Sequence, residues 1–276
     1  MYICYHYREN IPILHERGVF LKQKYKELVD VAALAGIVLL ESHAESYRVE
    51  DTVRRILATT GFSRIEVLSN TTGLYITLDD DAKEIEPYTI VRRVSERGTH
   101  LNKIYRVNNI SRQLTSGQIS VAEAYHKLTV VSESEYTVMS KDIGTIFMVV
   151  GFTILLGGNI WDVLISFIAG LIVTLSRIGQ KYFYLNAFFA STLATFIMSV
   201  VVTFITNIVS VPTNSNVIII SALMPLFPGM AFTNGLRDAL KGDYISALAR
   251  IADALVIALS IALGFALGLS LMGGIV

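Results

Sequence analysis

Cysteine is nearly absent: Cys4 stands alone in 276 residues, so the chain has no internal disulfide and no partner for a thiolate metal site. The five histidines, at 6, 15, 43, 100 and 126, include no pair spaced to bind a metal from one helical turn, so neither a metal nor a cofactor is expected. No P-loop is present either, which argues against ATP-driven work by this chain. Net charge is also missing, with Lys+Arg and Asp+Glu at 23 each, and that balance argues against a nucleic-acid surface. Residues 1–10 carry Arg8 and Glu9 among tyrosines and have no apolar core, so no secretory signal is expected and the amino-terminal region should be cytoplasmic.

Charge becomes scarce after Asp142, and long apolar runs are scarce before it. The overall values, 53% apolar, 17% charged and a mean hydropathy of +0.53, are therefore an average over two unlike regions. The expected fold is a small cytoplasmic α+β domain over residues 1–140, followed by an α-helical integral membrane domain over 141–276 with about five transmembrane helices, one of them broken.

In the first region, Leu28, Val31, Ala35, Val38 and Leu39 recur at helical spacing, which predicts a helix over 25–42. Lys26, Glu27 and Asp30 in its first turns make it a buried core helix and not a span. A polar corner over 41–46 leads to a second helix, with Val49, Val53, Ile56 and Leu57 on one stripe and Gly61 past its end. Residues 64–68 and 74–78 read as a β-hairpin around a glycine-containing loop, and 88–94 as a third strand. Residues 101–114 return to helix, and Ser120 with Glu123 has the capping-box spacing that opens another. At the corner, Ser46 and His43 would be nucleophile and base if the protein were a hydrolase; the simpler reading is a polar corner in which Glu45 or Ser46 caps the second helix.

The second region has five apolar stretches, about 143–156, 161–175, 184–209, 217–232 and 245–274. The first two are short enough to be either two spans or a re-entrant hairpin. Lys141, Arg177, Lys181 and Lys241 flank one side of the spans, while 157–160 and 211–216 carry no charge. By the positive-inside rule, this places the amino-terminal region in the cytoplasm. Asp162 sits beside Trp161 at the mouth of the second stretch, and Gly264, Gly268 and Gly273 give the last helix small residues for tight packing.

Everything turns on residues 224–243. Pro225, Pro228 and Gly229 should break the fourth helix within the membrane, and Thr233, Asn234, Arg237, Asp238, Lys241 and Asp243 follow directly. An ionised group at the centre of a span costs about 2.5–3.5 kcal/mol on insertion scales, so such groups should face protein or water. If Gly229 restarts the helix, Thr233 and Arg237 share one face and Asn234 and Asp238 the adjacent one. Lys241 and Asp243 would equally suit a loop. Arg250 and Asp253, three apart in the next helix, lie near enough to pair with Asp238 or Arg237.

Taken together, 44–52 in the first region, Gly157-Gly158, Trp161-Asp162, Pro228-Gly229, Thr233-Asn234, Arg237-Asp238, Gly242-Asp243 and Ala249-Arg250 resemble the threonine/serine exporters, over nearly the whole chain. His43 departs from the small residue expected before Ala44-Glu45. The resemblance implies export, at the cytoplasmic membrane, of threonine and serine or, in a two-subunit branch, of succinate and related dicarboxylates; the carboxylates beside the broken helix and the missing P-loop add the expectation that export is proton-coupled. It also implies a separate membrane subunit of about four spans. The substrate-binding set is then Thr233, Asn234, Arg237 and Arg250, with Arg237 neutralising a carboxylate. Asp238 or Asp243 carries the proton, with Asp253, Asp162 and Glu45 as further candidates, Glu45 on the resemblance alone. A membrane-anchored hydrolase and a ligand sensor are the rival readings.

Overall fold

The computed structural model describes residues 14–80, 87–94, 97–133 and 136–273. The chain divides into two compact units, Met1–Glu133 and Ser134–Val276.

The first unit is built on α1 (Leu14–Glu41), with α2 (Ser46–Ala58), the strands β1 (Arg64–Asn70), β2 (Gly73–Asp79) and β3 (Tyr88–Arg93), then α3 (Leu101–Thr115) and α4 (Val121–Ser132). Nine α1 residues between Leu28 and Leu40 are buried in a core shared with Val49, Val53, Ile56 and Leu57 of α2. Leu74, Ile76 and Leu78 of β2, Val107 of α3 and Leu128 of α4 close that core. A side-chain carbon on Gly36 would strike Leu74 and Val53, so its absence lets α1 lie close on the sheet and on α2. The strands form an antiparallel meander in the order β1-β2-β3. They run further into the expected loop than the pattern indicates, because Asn70 Oδ1 accepts the N–H groups of Thr72 and Gly73 (both 2.9 Å) and closes a two-residue turn. Half of the predicted capping box forms: Ser120 Oγ accepts Glu123 N–H (3.2 Å), while the Glu123 carboxylate turns to Lys127 (2.9 Å).

The second unit contains α5 (Val138–Leu155), α6 (Ile160–Phe183), α7 (Ala187–Ile208), α8 (Ser215–Leu223), a 3-10 turn (Met224–Leu226), α9 (Gly229–Leu240) and α10 (Tyr244–Gly273). By length and hydropathy α5, α7 and α10 are able to cross a bilayer, and the bent pair α8–α9 makes a fourth when counted as one span. Among the described residues that count is three or four, where five were expected. Within α6 the run Ile160–Ser176 is apolar as well.

Two seams organise this unit. Thr192, Thr195 and Ser199 of α7 lie where carbons on Gly264 and Gly268 would be, so α10 packs directly on α7 and Thr192 Oγ1 donates to Ser260 O (3.1 Å). Gly273 meets nothing and takes no part. At one end, Asn159 opens α6 with a capping box and donates from Nδ2 to Pro212 O (2.7 Å), joining the loop before α6 to the loop after α7.

Candidate functional site

The break expected at Pro225, Pro228 and Gly229 is present, and the axis turns by 59° between α8 with its 3-10 turn and α9. Pro225 falls in the first turn of the 3-10 segment, where its missing N–H costs least. Phe227 is extended (ψ 130°), as a residue before proline must be, and Pro228 serves as the N-cap of α9. The prolines and the extended residue between them therefore produce the break locally.

α9 ends in a tight reversal. Asp243 N–H reaches Asp238 O (3.0 Å) and Gly242 N–H reaches Ala239 O (3.0 Å), around Gly242 at φ 86°. Asp243 Oδ1 then accepts Ser246 N–H (3.2 Å), which makes Asp243 the cap of α10. So α9 folds straight back onto α10. Their contact depends on Gly235, which sequence reasoning passed over: a carbon there would lie 2.9 Å from Ile251 Cγ1, 3.2 Å from Arg250 Cβ and 3.3 Å from Ala247 O. A small residue between Asn234 and Asp238 was the available signal.

Asn234, Gly235 and Asp238 face this seam and are buried. Arg250 Nε lies 2.9 Å from Asp238 Oδ2, with the side chains only 4% and 1% exposed. The Nε–H is not aimed along that line, so the contact at this atom is an ion pair and not a straight hydrogen bond. Two opposite charges are thus enclosed between two apolar helices, where water does not weaken their attraction.

The other candidates separate. Thr233 and Arg237 fall on the exposed flank of α9, and Thr233 Oγ1 donates to Gly229 O (2.9 Å). Asp253 is exposed while Arg250, three residues before it, is buried, so the two do not share the inner face. Asp162 is 1% exposed, and both its oxygens accept backbone amides, Asn159 N–H (2.9 Å) and Asn214 N–H (2.7 Å). It clamps the two chargeless loops together.

In the first unit, α1 ends with His43 at φ 61°, His43 N–H on Leu40 O (3.1 Å) and Ala44 N–H on Leu39 O (2.9 Å). That is a Schellman ending, with histidine in the position glycine usually takes. Glu45 is the N-cap of α2 by backbone, but its buried carboxylate receives Arg48 Nη1 (3.2 Å) and caps nothing. Ser46 is fully buried at the start of α2, and its carbonyl accepts Ser69 Oγ (3.3 Å).

Residues 30–272 match a family model described as "Putative threonine/serine exporter". The chain is also similar to a "Probable threonine/serine exporter" of Mycobacterium tuberculosis (strain H37Rv), with 26% identity over 221 residues that cover 78% of this chain and 38% of the relative. It thus spans well under half the length of that curated relative. No solved structure matches.

Proposed function

The chain belongs to the threonine/serine exporter family, and we propose that it is a subunit of a secondary active exporter that moves small polar carboxylates, threonine and serine first, out across the cytoplasmic membrane. Family and apolar helices together make it a multi-pass membrane protein. One observation carries the transport reading: the Asp238–Arg250 pair, enclosed between α10 and the far end of α9, the helix that the break begins. A plain anchor needs neither the break nor the charges, and interrupted helices with polar groups at the interruption are how many transporters hold substrate.

In this reading Arg250 receives the substrate carboxylate, Asn234 hydrogen-bonds its polar head, and Asp238 exchanges the proton. Thr233 and Arg237 contribute where a second surface covers the exposed flank of α9. Asp162 and Asp243 hold a loop junction and a helix end, Asp253 stands outside the seam, and Glu45 remains a proton-carrying candidate on the resemblance alone. Residues 1–140 lie in the cytoplasm and 141–276 in the membrane.

Five spans belong to the same reading. What supports them is the junction of the loops at 156–159 and 209–214 through Asn159 and Asp162: if α7 crosses, α6 must cross back to return the chain to that end. At 24 residues and 1.5 Å each, α6 is about 36 Å long, enough for a core of about 30 Å. A partner of about four spans completes the exporter; exposed apolar side chains such as Phe147 and Leu155 of α5 and Leu255 and Leu259 of α10 are faces that such a partner can cover where lipid does not.

The test is efflux from cells preloaded with threonine, serine or succinate, comparing this chain alone, a candidate four-span subunit alone, and both. Efflux requiring both establishes the two-subunit exporter and names its substrate. No efflux from any combination of correctly inserted proteins would remove the proposal.

A further inference from the structure

Resting on the exporter reading, we infer that Asp238 is a stand-in for the substrate's own carboxylate: it pairs with Arg250, and a substrate carboxylate reaches Arg250 by displacing it. The pair is more demanding than stability requires. Apolar residues of similar volume are often as stable as a buried ion pair, so the enclosure of these charges has another explanation. Asp238 also lies in the last turn of α9, the negative end of the helix dipole, where a carboxylate is disfavoured. Its carboxylate stays there because Arg250 reaches it across the gap left by Gly235.

Charge counting gives the consequence. α10 is the element packed on α9, and between them only Asp238 and Arg250 are buried charges; Arg237 and Lys241 on α9, and Tyr244 and Asp253 on α10, are exposed, and Asp243 is engaged as the α10 cap. The seam is neutral when empty. A carboxylate that takes Arg250 leaves Asp238 as an extra buried anion, which must be compensated. A zwitterionic amino acid compensates with its ammonium group, which moves to Asp238. A dicarboxylate brings no cation, and Asp238 must then take up a proton. Proton and substrate ammonium therefore compete for one carboxylate: threonine binding excludes the proton, and succinate binding requires it.

The experiment is equilibrium binding of labelled threonine and labelled succinate to the full-length protein in liposomes, with its second subunit where transport requires it, between about pH 6.5 and 8.5, above the range in which succinate's own carboxyls titrate. Wild type should bind succinate more weakly as pH rises and threonine with little change. Asp238→Asn, whose amide oxygen still accepts from Arg250, should bind succinate at least tenfold more tightly and without pH dependence, bind threonine more weakly, and move neither. The exchange Asp238→Arg with Arg250→Asp should restore insertion and thermal stability, but not binding. Unchanged succinate affinity and pH dependence in Asp238→Asn, or full transport by the exchanged pair, would reduce the pair to a structural contact while leaving export intact. Failure of wild type to bind or move any of these carboxylates would end both readings together.

Discussion

Asp162 and Asp238 are equally buried, yet they hold their charge in different company. Asp162 accepts backbone amides of Asn159 and Asn214, one on each oxygen. Replacing Asp162 with Ala orphans two N–H groups, at about 1–3 kcal/mol each. The expected result is a lower thermal midpoint and a lower folded yield, with the pH dependence of any remaining efflux unchanged. His43 permits a cleaner comparison. Gly and Ala both remove the imidazole, but only Ala keeps a Cβ at φ 61°. His43→Gly should therefore be more stable than His43→Ala by about 1 kcal/mol, read from paired thermal or denaturant unfolding.

At the scale of elements, the break and the α7–α10 seam are made by what residues lack. Pro225 and Pro228 have no N–H to continue a helix, and Gly264 and Gly268 have no carbon to hold α10 away from Thr192, Thr195 and Ser199. Adding bulk tests the seam: Gly264→Val or Gly268→Val must move a backbone, since the overlap involves Thr192 O and Phe196 O as well as side chains. Either variant should lose folded protein in detergent. Gly273→Val, with open space around it, should not, and equal loss in all three would show that glycine acts there through helix propensity and not through packing.

For the whole molecule, the two units follow from two compositions. Leu28 to Leu40 of α1 are covered by the helices and sheet of their own unit, whereas α5 leaves Phe147, Ile154 and Leu155 outside. Those faces require lipid or another apolar protein surface. The chargeless loops share one end, so the orientation can be read with single cysteines in a Cys4→Ser background. Asn216→Cys should react with a membrane-impermeant maleimide added outside intact cells, and Lys241→Cys only after permeabilisation; the reverse pattern would invert the proposed topology.

Some of this was legible in the residues, because it depends on chemistry within a turn or two. The α2 stripe of Val49, Val53, Ile56 and Leu57 is buried as its spacing requires, the hairpin pairs around Asn70 and Gly73, and the fourth apolar stretch breaks at its prolines. Other features depended on which surfaces meet. Asp162 finds Asn214, 52 residues away, only once two loops share an end. Helical spacing puts Thr233 with Arg237 and Asn234 with Asp238 on adjacent faces of α9, but only the contact at Gly235 turns Asn234 and Asp238 toward α10 and leaves Thr233 and Arg237 outside. Sequence alone determined that the helix breaks and that charge follows the break, because proline and glycine act on their own backbone. Only the tertiary structure decided that Arg250 meets Asp238, because a helix carries polar groups on several faces and packing against a neighbour selects the one that is enclosed.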